Sequence, residues 1–305
     1  MTRHPLIAGV ELGGTKVACL LARGPDDILA QTRIDTGNPD TTLAAVSDQL
    51  TAWKAAHGLD AIGVASFGPI DIDPGSATYG SAIGTPKPGW DGIDLLAPLK
   101  GLGLPIGFDT DVNGAALAEG RWGAARGLSD FAYVTVGTGI GVGAVVAGRT
   151  VRGLGHMEAG HLRSPRLRGH EGFAGVCPYH GDCAEGLAAG PAIAARAGRP
   201  AETLAPDHPA WDEPVHVLAA LCHNLIYTLA PQRILIGGGV GMGQPHLLPR
   251  IRRALSESLG GYAQARLIDG QMGQRILHPG LGDRAGPLGA VAVGLGALAA
   301  VSRSG

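Results

Sequence analysis

At residues 6–22 the chain reads LIAGVELGGTKVACLLA: an apolar run, a glycine turn and a second apolar run. This pattern predicts two antiparallel strands, at 6–10 and 17–22, joined by a tight turn. Backbone N–H groups of such a turn can converge on phosphate oxygens, and Thr15 and Lys16 add a hydroxyl and an ammonium. It is not a Walker A loop, because no helix with the required spacing follows. The alternative interpretation is an ordinary hairpin turn.

A second hairpin pattern begins at residue 131. Strands are predicted at 131–136 and 142–147, around the run Gly137-Thr138-Gly139-Ile140-Gly141-Val142-Gly143. A plain hairpin needs one or two glycines, so the excess favours a ligand lying against the backbone. A dinucleotide site is disfavoured, because a strand and not a helix follows. A third run, Gly237-Gly238-Gly239-Val240, follows a predicted strand at 233–236 and could support a nucleotide base or ribose.

Each hairpin is followed by alternating helix and strand patterns. The further predicted strands are 61–67 and 106–109, and the predicted helices are 40–57, 112–119, 187–196, 215–230, 247–259 and 288–301. Two halves of the same order predict a duplicated α/β fold with two lobes around a cleft. Residues 155–185 lack periodicity, and so long an irregular stretch is usually functional or held by a bound group.

The composition is that of a globular chain. Of 305 residues, 45% are hydrophobic and 16% charged, and the formal net charge is −2, which disfavours partners such as nucleic acid or an anionic membrane. The sequence contains no run of 18 apolar residues that would predict a membrane span. The apolar run at residues 6–10 is too short for the hydrophobic region of a signal peptide. Four cysteines are too few for a disulfide framework, and Cys19 and Cys222 are expected in the core. We therefore expect a cytoplasmic protein.

The stretch Phe108-Asp109-Thr110-Asp111-Val112-Asn113 places two carboxylates where a predicted strand leads into a helix. Asp109, Thr110 or Asp111 could simply cap the helix. One carboxylate could instead accept the proton of a substrate hydroxyl as that hydroxyl attacks a γ-phosphate. These residues alone do not choose between Asp109 and Asp111.

A metal site is predicted from His161 and the run Cys177-Pro178-Tyr179-His180-Gly181-Asp182-Cys183. Two thiols and two imidazoles form a closed tetrahedral set for structural zinc, which would also keep the irregular segment ordered. His156 and His170 are competing fourth ligands. The alternative interpretation is a pair of free buried thiols with two surface histidines. Glu158 and Glu185 flank this segment and could accept hydrogen bonds from sugar hydroxyls, although surface glutamates need no such role.

Together with Ala65-Ser66-Phe67-Gly68-Pro69 and Thr85-Pro86-Lys87-Pro88-Gly89-Trp90, these motifs resemble the ROK family of sugar kinases and sugar-responsive repressors, and within it the bacterial fructokinases. The resemblance covers nearly the whole chain. It implies two actin-like (ribonuclease H-like) lobes. One comprises residues 1–112 with a closing helix at 288–303, and the other comprises residues 113–287 with a zinc knuckle at 161–183. It implies a homodimeric kinase that transfers phosphate from ATP, with Mg²⁺, to a hexose, with D-fructose favoured.

The resemblance also implies roles for individual residues, and it selects Asp111 as the general base. Phosphate contacts fall on Gly13, Gly14, Thr15, Lys16, Thr138 and Gly139, and adenosine contacts on Pro191, Gly237, Gly238, Gly239 and Val240. Sugar contacts fall on Gly68, Pro69, Asp111, Glu158, His161 and Glu185, and zinc ligands on His161, Cys177, His180 and Cys183. The chain departs from the family pattern at Glu11, where Asp is usual, and at Thr110, where Asn is usual.

Three alternatives compete with a fructokinase. A kinase for glucose, mannose or an N-acylmannosamine would share these motifs. A sugar-responsive repressor needs an N-terminal DNA-binding domain, for which a first strand at residue 6 leaves no room. A zinc hydrolase needs an open coordination position, which four protein ligands do not leave.

Overall fold

The computed structural model describes residues 4–268 and 270–304. Residues 1–3, which the sequence prediction includes in the first lobe, lie outside this range. The strands are β1 (Ile7–Leu12), β2 (Lys16–Gly24), β3 (Asp27–Asp35), β4 (Ala61–Ser66), β5 (Ile106–Thr110), β6 (Phe131–Val136), β7 (Ile140–Val146), β8 (Arg149–Thr150), β9 (Arg233–Gly237) and β10 (Ile276–Leu277).

The chain also forms helices beside its two sheets. They are α1 (Pro39–His57), α2 (Ala97–Lys100), α3 (Asp111–Trp122), α4 (Ala184–Ala188), α5 (Gly190–Ala197), α6 (Asp212–Leu229), α7 (Gly238–Gly243), α8 (Leu247–Leu259), α9 (Ala265–Ile268), α10 (Met272–Arg275) and α11 (Ala285–Ser304). The chain forms two compact units. The first contains residues up to 126, residues 150–156 and residues from 283 onward, and the second contains residues 127–149 and 157–282.

The two units carry the same sheet topology. The first sheet has the order β3-β2-β1-β4-β5 and the second the order β10-β9-β6-β7-β8. In the first, β1 pairs antiparallel with β2 and parallel with β4. In the second, β6 likewise pairs antiparallel with β7 and parallel with β9. The predicted α/β class, with a hairpin opening each half, is confirmed.

Helix α1 illustrates how local sequence sets an element. Its N-cap Asn38 accepts a hydrogen bond from the backbone N–H of Asp40, Pro39 occupies the first turn, and Gly58 ends the helix at φ 67°. The predicted apolar stripe of Leu43, Val46, Leu50 and Trp53 is buried, as its helical spacing requires.

Helix α11 packs on the first sheet through glycines. A Cβ at Gly63 of β4 would collide with the carbonyl oxygen of Ala290, and a Cβ at Gly107 of β5 with that of Val293. The helix backbone therefore rests almost directly on the strand backbones, a closeness that only glycine permits. Part of the glycine excess thus serves core packing and not ligand binding.

The elements differ from the sequence prediction in several details. Strand β3 was not predicted, because its residues are mostly polar and exposed. The helix predicted at 187–196 is two helices, α4 and α5, separated by extended Ala189, with Pro191 in the first turn of α5. The lobe boundary at 112 stays a prediction; helix α3, which spans that residue, lies whole in the first compact unit and packs along α11.

Among the described residues, one stretch, Gly282–Ser302, is long and apolar enough to cross a membrane by length and composition, with mean hydropathy 1.7. Half of that window is buried. A core helix passes the same test, and α11 packs against β1, β4 and β5. This stretch is therefore weak support for a membrane span.

Candidate active site

Asp109 and Asp111 have different surroundings in the first unit. Asp109 is 3% exposed, and its Oδ1 accepts hydrogen bonds from the Thr110 backbone N–H at 2.9 Å and from Asn113 Nδ2 at 2.6 Å. Its Oδ2 accepts from Thr150 Oγ1 at 3.1 Å and from Arg152 Nη2 at 3.3 Å. Four donors occupy this carboxylate, so it ties the start of α3 to the strand at Thr150 and is poorly placed to accept a substrate proton.

Asp111 begins helix α3 and keeps part of its surface exposed. Thr110 serves as the N-cap, with its Oγ1 accepting from the Asn113 backbone N–H at 3.1 Å. One oxygen of Asp111 accepts from the Val112 backbone N–H at 2.8 Å. Burial raises the pKa of Asp111 to about 6, despite the backbone hydrogen bonds that lower it. A carboxyl in this range suits a general base near neutral pH.

Glu11, at the end of β1, lies near both Asp111 and the glycine turn. Burial is the largest cause that raises the pKa of Glu11 to about 7; the Asp111 charge raises it further and Lys16 lowers it. A Cβ at Gly286 of α11 would collide with the Glu11 carboxylate, so that glycine makes room for it. The first unit therefore brings together two carboxyls with raised pKa values, one of which, Glu11, also interacts with Lys16.

The turn at residues 13–16 connects β1 and β2. The Gly13 backbone N–H donates to the Lys16 carbonyl at 3.0 Å, and a Cβ at Gly13 would lie 2.7 Å from that oxygen. Thr36 braces the turn, with its backbone N–H on the Thr15 carbonyl at 3.0 Å and its Oγ1 on the Gly13 carbonyl at 2.8 Å. Gly14, Thr15 and Lys16 are exposed, so their polar groups are accessible to a ligand.

The predicted sugar-pocket residues Gly68 and Pro69 follow β4 and are joined by a cis peptide bond. The Pro69 carbonyl accepts from the Ile83 backbone N–H at 2.9 Å. The next backbone N–H, of Ile70, donates to His156 Nε2 at 3.0 Å. His156 is thereby committed to this loop and is not a member of the cysteine–histidine cluster.

In the second unit, His161, Cys177, His180 and Cys183 form a compact donor cluster. Their ligand atoms all lie within 4.8 Å of one another. His161 Nδ1 lies 3.4 Å from Cys183 Sγ and 3.7 Å from Cys177 Sγ, and His180 Nδ1 lies 3.7 Å from Cys177 Sγ. Bond lengths of ~2.3 Å to sulfur and ~2.0 Å to nitrogen give an edge of about 3.6 Å in a zinc tetrahedron, so these residues fit the ion.

The backbone of this segment holds the donors in place. Cys177 and Gly181 exchange two backbone hydrogen bonds, at 2.9 and 3.2 Å, and Val176 donates to the Gly186 carbonyl at 2.9 Å. A Cβ at Gly186 would collide with the Gly181 carbonyl, so α4 packs tightly beneath the turn. Burial raises the pKa of the Cys183 thiol to about 11, and a bound cation would favour its thiolate. The competing ligand His170 lies elsewhere, with its Nδ1 4.0 Å from the Glu213 carboxylate.

The predicted sugar ligands of this unit adjoin the cluster. His161 directs Nδ1 at the thiols and carries Nε2 4.0 Å from Glu158 Oε2. Glu185 follows Cys183 in the first turn of α4, and its Oε2 accepts from the Ile140 backbone N–H at 3.0 Å. Glu185 therefore links the cysteine–histidine cluster to the β6–β7 turn.

Three predicted ATP-binding segments meet in the second unit. The Gly190 backbone N–H donates to the Gly137 carbonyl at 2.8 Å, which joins the start of α5 to the β6–β7 turn. A Cβ at Gly190 would lie 3.4 Å from Val240 Cγ2, and one at Gly137 would lie 3.8 Å from the Gly239 nitrogen. The predicted residues Thr138, Gly139, Pro191, Gly237, Gly238, Gly239 and Val240 all belong to these segments.

Sequence reasoning assigned no role to several residues that the structure ties to the candidate site. Lys87 Nζ donates to the Gly14 carbonyl at 2.6 Å, and Thr150 and Arg152 bind Asp109. The only local signal for Lys87 was the unusual Thr-Pro-Lys-Pro-Gly-Trp run. No local pattern connects Arg152 with Asp109 across 43 residues.

Comparisons with known proteins agree with these motifs. A family model described as "ROK family" matches residues 7–296. The fructokinase of Pediococcus pentosaceus is 38% identical over 294 residues, covering 96% of this chain and 99% of the relative. The fructokinase of Zymomonas mobilis is 38% identical over 295 residues, covering 94% and 96%. The crystal structure of a ROK hexokinase from Thermus thermophilus is 26% identical with TM-score 0.75, covering 98% of this chain and 100% of that chain.

Proposed function

The chain belongs to the ROK family, and from that premise we propose that it is an ATP-dependent fructokinase that converts D-fructose and ATP to D-fructose 6-phosphate and ADP. One observation carries the proposal. Asp111, a carboxyl with a raised pKa, is linked to the exposed glycine turn through Glu11, which interacts with the charges of both Asp111 and Lys16. A kinase needs these two features together: a base for the attacking hydroxyl and donors for the phosphoryl group.

In the proposed reaction, Asp111 accepts the proton of the fructose hydroxyl while the oxygen of that hydroxyl attacks the γ-phosphorus. The bond from the γ-phosphorus to the bridging oxygen breaks, and ADP leaves with that electron pair. Lys16 and the backbone N–H groups of Gly14 and Thr15 stabilise the charge that develops on the phosphoryl oxygens. Mg²⁺ enters with ATP and offsets phosphate charge. Asp109 holds the start of α3 and thereby positions Asp111.

The second unit supplies further contacts in this proposal. Thr138 and Gly139 bind phosphate oxygens, and the segments at Pro191 and at Gly237, Gly238, Gly239 and Val240 bind adenosine. The sugar hydroxyls form hydrogen bonds with the side chains of Glu158, His161 and Glu185. The sugar also contacts Gly68 and Pro69 of the first unit. Zinc bound by His161, Cys177, His180 and Cys183 would be structural and keep His161 and Glu185 in place. We also propose a cytoplasmic homodimer, which sedimentation would test.

The proposal is tested by coupling ADP release to a sugar panel with MgATP. We expect kcat/KM for fructose to exceed those for glucose, mannose and N-acetylmannosamine by at least about 10-fold, a difference of ~1.4 kcal/mol in transition-state binding. Phosphorus NMR of the product locates the new phosphate ester. A preference for another hexose would reassign the substrate within the family. Absence of ADP release with every sugar would favour a sugar-binding regulator.

A further inference from the structure

Lys87 brings a second ammonium to the glycine turn between β1 and β2. Its Nζ donates to the Gly14 carbonyl at 2.6 Å, across 73 positions of sequence. Among the residues that the structure describes, the Lys87 ammonium makes this one hydrogen bond, although it has three N–H donors. Its other donors are therefore available beside the accessible N–H groups of the turn.

The segment around Lys87 is irregular but strongly constrained. Prolines precede and follow Lys87, and the Lys87 carbonyl accepts from the Trp90 backbone N–H at 3.2 Å. Trp90 is fully buried, with its Nε1 donating to the Gly37 carbonyl at 3.1 Å and its ring edge-on to Phe67 at 5.4 Å. The backbone is thus fixed by a buried anchor three residues away, and Lys87 extends from it to the turn.

Apart from a cation–π contact of the Lys87 ammonium, which lies 6.0 Å from the centroid of the Trp90 ring, stability gives little reason for this arrangement. Gly14 is exposed, so water could satisfy its carbonyl, whereas holding a lysine side chain in one conformation costs rotamer entropy. Lys16 already lies on the same turn, so Lys87 adds a second positive charge to this segment, which an anion such as phosphate would offset. The pattern is typical of a phosphate-binding turn.

We propose that Lys87 is a phosphate-binding residue of the kinase, and that its ammonium contacts the terminal phosphoryl group of ATP. This inference rests on the proposed function. One N–H of Lys87 fixes the Gly14 carbonyl, and the remaining donors bind phosphate oxygens as negative charge redistributes during transfer. Because trans peptide geometry points the N–H of a peptide opposite to its carbonyl, the contact also orients the Thr15 N–H.

The test compares Lys87→Met with Lys54→Met by calorimetric titration of ATP, ADP and AMP, with Mg²⁺. Lys54 is a matched control, because its Nζ also donates to a backbone carbonyl at 2.6 Å, that of Leu102, in the same unit. We expect K87M to bind ATP at least about 10-fold more weakly, ADP less affected and AMP within about 2-fold of wild type. K54M should bind all three like wild type.

Two further variants keep the test decisive if K87M folds poorly. Lys87→Arg retains charge and should retain most ATP affinity. Lys87→Gln can still donate to the Gly14 carbonyl and should lose ATP affinity as K87M does. Equal weakening of ATP, ADP and AMP, or unchanged ATP binding in K87M and K87Q while wild type phosphorylates fructose, overturns the inference and leaves the proposed function standing. A wild-type protein that binds no MgATP overturns both.

Discussion

At the residue scale, the two carboxylates on either side of Thr110 differ in the donors around them. Four hydrogen-bond donors surround Asp109, and its charge is paired with Arg152. Asp111 is a half-buried residue whose carboxylate accepts from the Val112 backbone N–H, and burial raises its pKa. This contrast is a physical reason to choose Asp111 as the base, independent of any resemblance.

Asp111→Asn should abolish turnover and stabilise the fold. A carboxyl whose pKa rises on folding, from 3.8 to about 6, costs stability once it ionises, and the cost grows as the pH rises through that window. Above pH 7 we therefore expect D111N to unfold with a free energy about 1–3 kcal/mol higher than wild type. The gain should shrink towards pH 4, where the folded-state carboxyl is protonated and the unfolded-state carboxyl is roughly half protonated. Urea unfolding at pH 8 and pH 4.5, beside single-turnover assays, measures both effects, and a destabilised D111N would contradict this explanation.

The pH dependence of the reaction follows from the same carboxyl. A base must be ionised, so kcat/KM should fall about tenfold for each pH unit below the pKa of about 6 and level off above it. Initial rates from pH 4.5 to 8.5 with saturating Mg²⁺ give the profile. A profile that stays flat through pH 5 would show that Asp111 is not the proton acceptor.

At the element scale, the cysteine–histidine cluster and α4 form one continuous support for the β6–β7 turn. Cys183 caps α4, Glu185 lies in its first turn, and Glu185 Oε2 holds the Ile140 backbone N–H. Loss of a bound metal should therefore disturb the β6–β7 turn, although none of the four cluster residues belongs to that turn. The predicted order of residues 155–185 depends on this support more than on secondary structure.

Cys183→Ala should remove the bound metal and raise the KM for fructose by at least about tenfold, because it removes one ligand and loosens Glu185. Cys222→Ala is the matched control, since Cys222 is also buried but lies in α6 outside the cluster. Elemental analysis should find about one equivalent of metal in wild type and C222A and almost none in C183A. Full metal content in C183A would exclude Cys183 as a ligand.

The glycines under α11 give a second prediction at this scale. Gly63→Ala places a Cβ against the Ala290 carbonyl, so helix and sheet must separate, and we expect a loss of about 3 kcal/mol or more. Gly296 lies in α11, and a Cβ added there has nothing within 4 Å. Gly296→Ala should therefore raise the free energy of unfolding by about 0.5–1 kcal/mol. Thermal unfolding of the two variants measures the difference, and equal effects would refute the packing argument.

Local patterns predicted most elements and the donor cluster, since periodicity, turn residues and ligand spacing act over short stretches. They missed β3, whose polar residues carry little strand signal. They could not choose between Asp109 and Asp111, because the donors Thr150 and Arg152 arrive from more than 40 residues away. The Lys87 contact with Gly14 was inaccessible for the same reason.

At the scale of the whole molecule, the two units differ in how the chain builds them. The second unit draws almost entirely on one continuous stretch, residues 127–282. The first unit needs α11, which packs against β1, β4, β5 and α3, although more than 150 residues separate it from residue 126. Its sheet cannot bury one face without that helix.

A fragment of residues 127–282 should therefore fold and bind one metal ion, whereas a fragment of residues 1–126 should not fold. The first retains its sheet, its core helices and all four donors, and the second lacks the helix that covers its sheet. Circular dichroism melts and elemental analysis of both fragments check this. A cooperative melt for residues 1–126 would contradict the role given to α11.

The late position of α11 also has a consequence during translation. Ribosomes add about 5–20 residues per second, so roughly 10–35 s pass between synthesis of residue 126 and release of the helix that covers β1, β4 and β5. During that interval a nascent chain displays an uncovered apolar sheet face, while the later unit can already be complete. Yield in a host should therefore respond to chaperone supply and growth temperature more than the stability of the finished protein suggests.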